Sequence, residues 1–289
     1  METTGAAFAS RAAVSPRLVR KLPNVANWCT VTILLLLVFF PIVYLLIMSF
    51  KSYGEIIASF WSLPNPWVFD NYTRGWTVIA PYVVNTVPLV AVATFLTVVC
   101  SSLGSYAFAR HRFPGKEFFY FLLLALMMVP SMLTLVPRYV LVKQLGLIDT
   151  PWVLILPWSA QSVAFGVLLC RSFFATLPED LFEAGRIDGA SEWQIYRLIA
   201  VPLSYPILVT LAVVDAFDHY NDYIWPLLSI ATKANQVVSV GLTEFDSFDV
   251  IEFGPKFAAY VIASVPLIIL FLLGMRYFIR GITAGALKT

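Results

Sequence analysis

The sequence predicts an all-α membrane protein with six transmembrane helices. Of its 289 residues, 60% are hydrophobic and 12% are charged, whereas about 25% of the residues of a soluble domain are charged. The apolar residues are gathered in runs long enough to cross a bilayer, and polar segments separate these runs. The net charge of +2 is too small to predict a nucleic-acid partner. Most of the chain is therefore expected to lie in membrane lipid.

Six apolar runs are predicted as spans. The first follows a polar, basic tail at residues 1–27. It is longer than the hydrophobic region of a signal peptide and has no clear cleavage site, so it is predicted to be retained. Residues 51–81, which contain three prolines, are expected to form a short external segment, and residues 225–257 a second one. The predicted spans are residues 28–50, 82–109, 118–142, 152–174, 203–224 and 257–278, within a transmembrane domain at 28–280, and a basic tail follows at 281–289.

The third span contains two prolines, Pro130 and Pro137. A proline inside a helix removes one backbone hydrogen bond and frees a carbonyl group. Within a bilayer such a carbonyl is tolerated where neighbouring helices or a water-lined cavity satisfy it. The third span is therefore predicted to meet other helices or a cavity near these prolines.

A polar, helix-prone island separates the fourth and fifth spans. Thr176 and Glu179 have the spacing of a helix-capping pair, which predicts the start of a first short helix. Gly189 interrupts the helical pattern. Ser191 and Gln194 then repeat the capping spacing and predict a second, amphipathic helix.

The island occupies residues 177–206, and its centre is rich in small and charged residues. Ala184 and Gly185 are predicted to leave a low-relief surface on which another protein can come close. This part resembles the EAA motif of permease subunits of binding-protein-dependent ABC importers, with Gly185 in place of the usual alanine. In that family the segment is the coupling helix, which docks on a cytoplasmic ATPase. The resemblance implies an ATPase-coupling role for Glu183, Ala184, Gly185, Arg186, Asp188, Gly189 and Ala190.

Other segments match the same family in the same order. Tyr106–Arg110, Tyr220–Tyr223 and Tyr277–Gly285 are similar to carbohydrate-uptake permeases related to the maltose transporter, in particular to the MalG-like second permease of the pair. Tyr220 stands where that family has tryptophan. The resemblance extends from the first predicted span almost to the end of the chain.

This resemblance implies the type I ABC importer permease fold, with a cytoplasmic coupling helix between spans four and five. The partners it implies are a second homologous permease that completes a heterodimer, two cytoplasmic ATPase subunits that hold ATP and Mg, and an extracytoplasmic substrate-binding protein. It also implies a bacterial or archaeal cytoplasmic membrane and the import of a sugar or oligosaccharide by alternating access.

The chain itself carries no ATP-binding or catalytic signature. The sequence lacks the G-x-x-x-x-G-K pattern that cradles phosphates, so ATP hydrolysis is expected on the partner chain, and this chain is expected to be neither an enzyme nor a cofactor-binding subunit. The sequence also lacks H-E-x-x-H and a nucleophile elbow, which argues against an intramembrane enzyme. Cys29, Cys100 and Cys170 have no metal-ligand spacing and are expected to pack as small hydrophobic residues.

The positive charges predict the orientation of the chain. Six spans place both termini and the island on one side of the membrane. Of the 19 Lys and Arg residues, all but six are predicted to lie on that side. Since positively charged loops stay in the cytoplasm, the termini and the island are predicted to be cytoplasmic. The cations predicted on the opposite side are Lys51, Arg74, Arg138, Lys143, Lys233 and Lys256.

Three aspartates in the fifth span are candidates for the substrate pathway. Asp215, Asp218 and Asp222 follow spacings of three and four, so they are predicted to share one helix face. Ionisable groups inside a membrane are usually functional. Asp222 is expected to be solvated near the outer surface, and His219 is expected to be structural. The candidates that are taken to line the pathway are Asn85, Ser159, Gln161, Asp215, Asp218, Tyr220 and Asn221.

Other transport functions stay open from the sequence alone. Related permeases carry glycerol-3-phosphate or glycerol phosphodiesters, and an acidic sugar polymer is a further alternative. A phosphate would require a buried cation, and we find no Lys or Arg at mid-depth in the predicted spans, which favours a neutral sugar. An ion-coupled secondary transporter would use the aspartates of the fifth span, but it predicts inverted repeats that the sequence does not show.

Overall fold

The computed structural model describes residues 16–246 and 252–286, and its regular elements in these ranges are helices, with no strand. Short 3₁₀ helices cover Ser131–Thr134, Lys233–Asn235 and Leu242–Asp246, and a π-helical turn covers Tyr196–Ala200. The α-helices are α1 (Pro16–Met48), α2 (Tyr53–Ala58), α3 (Asp70–Arg110), α4 (Lys116–Met127), α5 (Leu135–Gln144), α6 (Trp152–Phe174), α7 (Glu179–Ile187), α8 (Glu192–Ile195), α9 (Val201–Leu203), α10 (Tyr205–Asn221), α11 (Ile224–Ser229), α12 (Val238–Gly241) and α13 (Phe253–Ala286).

The apolar helices match the predicted membrane class. In the part of the chain that the structure describes, four helical stretches are each long and apolar enough to cross a bilayer: Asn27–Met48, Asp70–Arg110, Trp152–Phe174 and Phe253–Tyr277. Two bent pairs also meet these criteria, Lys116–Met127 with Ser131–Gln144 and Glu192–Leu203 with Tyr205–Asn221. The count reaches six if each bent pair forms one span.

Three helices extend beyond the predicted spans, into segments that were predicted to be loops or tails, while the apolar stretches Asn27–Met48 and Phe253–Tyr277 overlap the first and sixth predicted spans. α1 already begins at Pro16 and α13 continues to Ala286, inside the two predicted tails. α3 begins at Asp70, so the predicted external segment is helical from that residue onward and Pro81 lies inside the helix. Residues 1–15 and 287–289, and Asp249 of the second predicted external segment, lie outside the described residues.

The early start of α3 is explained by contact with α13. Gly75 lies so close to α13 that an added Cβ would be 2.9 Å from the Pro255 carbonyl oxygen and 3.1 Å from the Ala259 nitrogen. Ile79 is fully buried one turn later. This packing stabilises the first turns of α3 and outweighs the missing hydrogen bond at Pro81.

The predicted third span is sharply bent. α4 and the helical segment that begins at Ser131 meet at 94°, across Met128 to Pro130. A bend of this size is expected where a proline interrupts the backbone ladder. The bend directs α5 back toward α6, and Arg138 of α5 donates to Gln161 of α6.

The centre of the molecule is the crossing of α3 and α6, which is lined by small residues. The hydroxyl of Ser105 is shared between the Ser101 carbonyl of α3 at 2.5 Å and the Val167 carbonyl of α6 at 3.2 Å. The hydroxyl of Ser159 is shared in the same way between the Ile155 carbonyl of α6 at 2.7 Å and the Ala93 carbonyl of α3 at 3.0 Å. Gly166 of α6 faces Ser101 of α3, which is fully buried. Small residues and interhelical hydrogen bonds are what hold helices together in lipid, where there is no hydrophobic force between them.

The loops at the α2 end of the molecule are tied to one another. The fully buried Lys51 donates through Nζ to the carbonyls of Ser59 and Phe60, which closes the loop around α2. Asp149, between α5 and α6, accepts backbone hydrogen bonds from Ala231 and Thr232. The hydrogen bonds from Thr232 hold the pKa of Asp149 below its ordinary value. The connections between helices on this side are therefore held by two sets of bonds, one around α2 and one between Asp149 and the segment after α11; we refer to them together as the bonded layer.

Candidate functional site

Helix α7 has one buried face and one exposed face. Phe182 is fully buried in a cluster that includes Tyr106, Phe174 and Ile195, and this contact anchors the helix to the rest of the chain. The exposed face follows the spacing i, i+3, i+4, i+7. Its residues are Asp180, Glu183, Ala184 and Ile187. Ile187 is 85% exposed, although its side chain is apolar.

The predicted coupling residues divide between these two faces. Glu183 and Ala184 are exposed, as are Arg186, Asp188 and Gly189, whereas Ala190 is half-buried. Gly185 is buried, so its predicted place on a low-relief outer surface was wrong. A Cβ at Gly185 would lie 3.1 Å from Ile199 Cδ1, so an alanine here would fit after a small movement of that side chain. Gly185 therefore serves packing within the chain.

The ends of α7 and α8 confirm two local predictions and contradict a third. Gly189 has φ +77°, a left-handed conformation that favours glycine, and it ends α7. Ser191 and Gln194 form the predicted capping box of α8. Thr176 does not cap α7: its hydroxyl donates to the Phe173 carbonyl at 2.8 Å, at the end of α6. The residue before α7 is Pro178, which has no capping side chain.

A set of alternating charges joins α7 to α3 and α8, and we refer to it as the α7 network. Arg110 Nη1 donates to Glu179 Oε2 at 2.5 Å, and Arg186 Nη1 donates to Glu179 Oε1 at 3.2 Å. Arg186 Nε also donates to Glu192 Oε1 at 3.3 Å, and the Tyr106 hydroxyl donates to Glu192 Oε2 at 3.2 Å. The hydrogen bonds to Glu179 and then to Glu192 raise the pKa of Arg186 above its ordinary value.

A polar cavity of about 290 Å³ lies between α5, α6 and the end of α10. Three predicted pathway residues line it: Gln161, Asp218 and Asn221. Asp222 lines it as well, and its carboxylate accepts a hydrogen bond from Trp158 Nε1 at 2.7 Å. Asp222 is therefore held by α6, which differs from the simple solvation that the sequence suggested.

Three other pathway candidates form hydrogen bonds that tie helices or loops together. Asn85 Nδ2 donates to the Ala234 carbonyl at 2.5 Å, and the Tyr220 hydroxyl donates to the Ala263 carbonyl at 2.7 Å. Ser159 bonds α3, as described above. None of the three is among the residues that line the cavity.

Asp215 lies behind the cavity wall. It is 3% exposed, and its Oδ2 is 3.3 Å from Nδ1 of His219, one turn later on α10. None of the described residues donates a hydrogen bond to either oxygen of Asp215. His219 itself lines the cavity, stacks on Trp158, and has Nε2 3.3 Å from Ser162 Oγ. Asp215 therefore contacts the cavity only through His219.

Arg138 is a cavity residue that the sequence analysis missed as a candidate. Its Nη1 donates to Gln161 Oε1 at 2.9 Å, and its guanidinium carbon lies 3.9 Å from the centroid of the Trp225 ring. The sequence interpretation counted Arg138 among the outer-face charges and found no cation at depth. Its position in an apolar run, directly after Pro137, was a usable signal, since an ionisable residue inside a span is a functional candidate.

The chain is similar to known transport proteins along most of its length. Residues 68–284 match the family described as "Binding-protein-dependent transport system inner membrane component". The chain is 33% identical over 262 residues to the probable ABC transporter permease protein YurM of Bacillus subtilis (strain 168), covering 90% of this chain and 87% of that protein. It is 31% identical to the diacetylchitobiose uptake system permease protein NgcG of Streptomyces coelicolor, covering 87% of this chain and 85% of that protein.

The solved structures show the same fold. A chain in the crystal structure of a bacterial ABC transporter involved in the import of the acidic polysaccharide alginate superposes with a TM-score of 0.78. Its sequence is 22% identical, and the match covers 94% of this chain and all of that one. The predicted importer-permease fold is confirmed by this match. Taken with the matched family and relatives, it identifies the chain as a permease subunit in the family of inner membrane components of binding-protein-dependent ABC transport systems.

Proposed function

We propose that the chain is one of two permease subunits of an ATP-driven importer that moves a sugar or oligosaccharide into the cytoplasm by alternating access. The exposed face of α7 is the observation that carries this proposal. Phe182 anchors the buried face of the helix, and the opposite face exposes Glu183, Ala184 and the apolar Ile187. A short helix that is packed against its own chain through one face, and that exposes an apolar side chain on the other face, is suited to docking on another protein.

The partners follow from the proposed orientation. With α7 in the cytoplasm, its outer face meets ATPase subunits, which hold ATP and Mg. The bonded layer at the α2 end then faces the extracytoplasmic binding protein, and a second homologous permease completes the pore. ATP shifts the complex between inward-facing and outward-facing states only if it binds one of them more tightly.

The charges in the cavity favour an uncharged substrate. The cavity holds two carboxylates, Asp218 and Asp222, and one guanidinium, Arg138. Arg138 keeps its charge while it donates to Gln161 and stacks on Trp225. At their formal charges the two carboxylates outweigh the one guanidinium, so the net charge presented to a substrate is negative. Relatives are named for neutral saccharides, including the trehalose/maltose permease MalG of Thermococcus litoralis, which is 31% identical over 86% of this chain and 91% of that protein.

Import of an anion, such as glycerol-3-phosphate or an acidic saccharide, is the second candidate function. Arg138 in the cavity is the observation that favours it, because a guanidinium binds phosphates and carboxylates well. For this function Arg138 would have to release Gln161 when the anion enters.

Uptake into proteoliposomes tests both functions. The chain is reconstituted with its partner permease, ATPase and binding protein, and uptake of radiolabelled maltose, diacetylchitobiose and glycerol-3-phosphate is measured. We expect uptake of a neutral saccharide that requires ATP on the ATPase side and is unaffected by ionophores. Uptake of glycerol-3-phosphate alone would establish the second function. Uptake that persists without the ATPase and collapses with an ionophore would show a secondary transporter instead.

Cysteine labelling tests the orientation. In a chain with Cys29, Cys100 and Cys170 replaced by serine, Glu183→Cys on α7 and Ile57→Cys on α2 place single thiols on exposed positions at opposite ends. We expect a membrane-impermeant maleimide to label Ile57→Cys in intact cells and Glu183→Cys only in inside-out vesicles. The reverse pattern would place α7 outside and remove the basis for ATPase coupling.

A further inference from the structure

We propose that Arg110 is the positioning residue that joins the coupling helix α7 to α3, so that ATP-driven movement of α7 enters the membrane part of the chain through α3. This inference rests on the proposed function, in which the ATPase acts on α7. It assigns Arg110 a role in transmission that is separate from docking, because Arg110 lies on the anchored side of α7 and not on its exposed face.

Arg110 is the last residue of α3, and its three contacts all fall at the start of the coupling segment. Besides its bond to Glu179, Nη2 donates to the Leu177 carbonyl at 2.5 Å. The guanidinium carbon lies 4.1 Å from the centroid of the Phe182 ring, the residue that anchors α7. One planar side chain therefore holds a backbone carbonyl, a carboxylate and an aromatic face, which a lysine cannot do in the same geometry.

The exposure of the α7 network indicates that Arg110 contributes more than the other charged members. The side chains of Glu179 and Glu192 are each 51% exposed and that of Arg186 is 42% exposed. Ion pairs at such exposure contribute little because water and salt screen them. The side chain of Arg110 is only 8% exposed, so its contacts with the Leu177 carbonyl and the Phe182 ring are shielded from water, and its pair with the half-exposed Glu179 is screened on one side only. Tyr106, one turn earlier on α3, supplies the second connection through Glu192.

α3 is bonded to the opposite end of the molecule as well. Asn71 Nδ2 donates to the carbonyls of Ser49 and Lys51 at 2.9 and 2.8 Å. Thr86 Oγ1 accepts a hydrogen bond from the Val238 backbone nitrogen at 2.8 Å, and Asn85 bonds the same loop. A movement that reaches α3 at Arg110 is thereby passed to the loops around α2 and α12.

A reporter thiol in the cavity shows whether ATP-driven movement of α7 reaches the membrane part of the chain, and this measurement does not require the substrate to be known. The full complex is reconstituted with Asn221→Cys as a reporter thiol, after serine has replaced the three native cysteines, and its reaction with a water-soluble methanethiosulfonate is timed with and without ATP. ATP hydrolysis is measured in the same samples. We expect ATP to change the reaction rate several-fold in this parent complex.

In the Arg110→Met complex we expect hydrolysis within about twofold of the parent, while the ATP-dependent change in reporter reactivity is lost. Arg110→Lys should restore part of that change, because the charge can still reach Glu179 or the Leu177 carbonyl. Arg112→Met, which removes an exposed arginine two residues away, should match the parent. A purely structural role for Arg110 would lower the yield of complex but leave the response of the assembled complexes intact.

A full reporter response in Arg110→Met would overturn the inference. If Arg110→Met does not assemble, Glu179→Gln replaces it as the test, because this variant keeps the contacts of Arg110 with Phe182 and the Leu177 carbonyl. We expect Glu179→Gln to reduce the ATP-dependent change in reporter reactivity. A full change would refute transmission through the Arg110–Glu179 pair. Failure of the proposed function gives a different result. In that case the parent complex shows no ATP response, or Ile187→Asp, on the exposed face of α7, still binds the ATPase normally.

Discussion

Replacing Gly166 with alanine should prevent the chain from reaching a stable fold. A Cβ at this position would lie 2.1 Å from Ser101 Oγ and 2.6 Å from Ser101 Cβ, and 3.0 Å from Leu211 Cδ2. The serine hydroxyl could rotate, but its Cβ is fixed to α3, so the two central helices would have to separate. Overpacking of this kind costs about 3 kcal/mol or more, a large part of the stability of a folded protein.

Fluorescence-detected size-exclusion chromatography in detergent measures this effect. We expect Gly166→Ala to lose its monodisperse peak, whereas Gly54→Ala in α2 should keep it, because an added Cβ there meets open space beyond its own helix backbone and chain neighbours. The double variant Gly166→Ala with Ser101→Gly moves the single Cβ from one helix to the other and should recover part of the peak. A monodisperse Gly166→Ala protein with an unchanged melting temperature would contradict the close approach of α3 and α6.

Replacing Ile187 with aspartate should abolish stable association with the ATPase. Burying an isoleucine side chain in an interface is worth roughly 1.5–3 kcal/mol, so its loss alone weakens binding by about one to two orders of magnitude. The new carboxylate stands beside Glu183 and Asp188 and would also be buried without a partner, which adds a further cost. The fold should be unaffected because Ile187 is 85% exposed.

Copurification of the ATPase with the tagged permease pair measures this second effect. Ile57→Asp makes the same change at an exposed isoleucine of α2, at the other end of the molecule, and should leave the ATPase bound. Retention of the ATPase by Ile187→Asp at the level of Ile57→Asp would show that the exposed face of α7 is not the docking surface.

The sequence predicted best the features that depend on neighbouring residues. The bounds of α6 agree with the predicted fourth span, because polar or turn-forming residues flank a predominantly apolar run. The capping box of Ser191 and Gln194 and the helix break at Gly189 were also predicted, since each depends on a few adjacent residues. Thr176 shows the limit of such signals: the capping spacing does not exclude a bond to the preceding helix, and its hydroxyl donates to the Phe173 carbonyl.

The features that the sequence could not predict depend on distant contacts. The start of α3 is determined by α13, which lies far along the chain. Among the pathway candidates, Gln161, Asp218 and Asn221 line the cavity, whereas Asn85, Ser159 and Tyr220 bond carbonyls of other segments. A polar residue in a span is compatible with both outcomes until its neighbours are known. Arg138 reaches the cavity because of the bend before α5, whose angle no local pattern specifies.

The length of α3 limits how it sits in a bilayer. Its 41 residues rise about 60 Å, whereas the hydrocarbon core is only about 30 Å thick. Even at a tilt of about 40°, the upper end of the usual range, the helix covers roughly 46 Å along the membrane normal. Its ends therefore extend at least to the lipid headgroups on both faces. Arg74 near one end and Arg110 at the other can thus remain hydrated or paired, because neither charge lies in the hydrocarbon core.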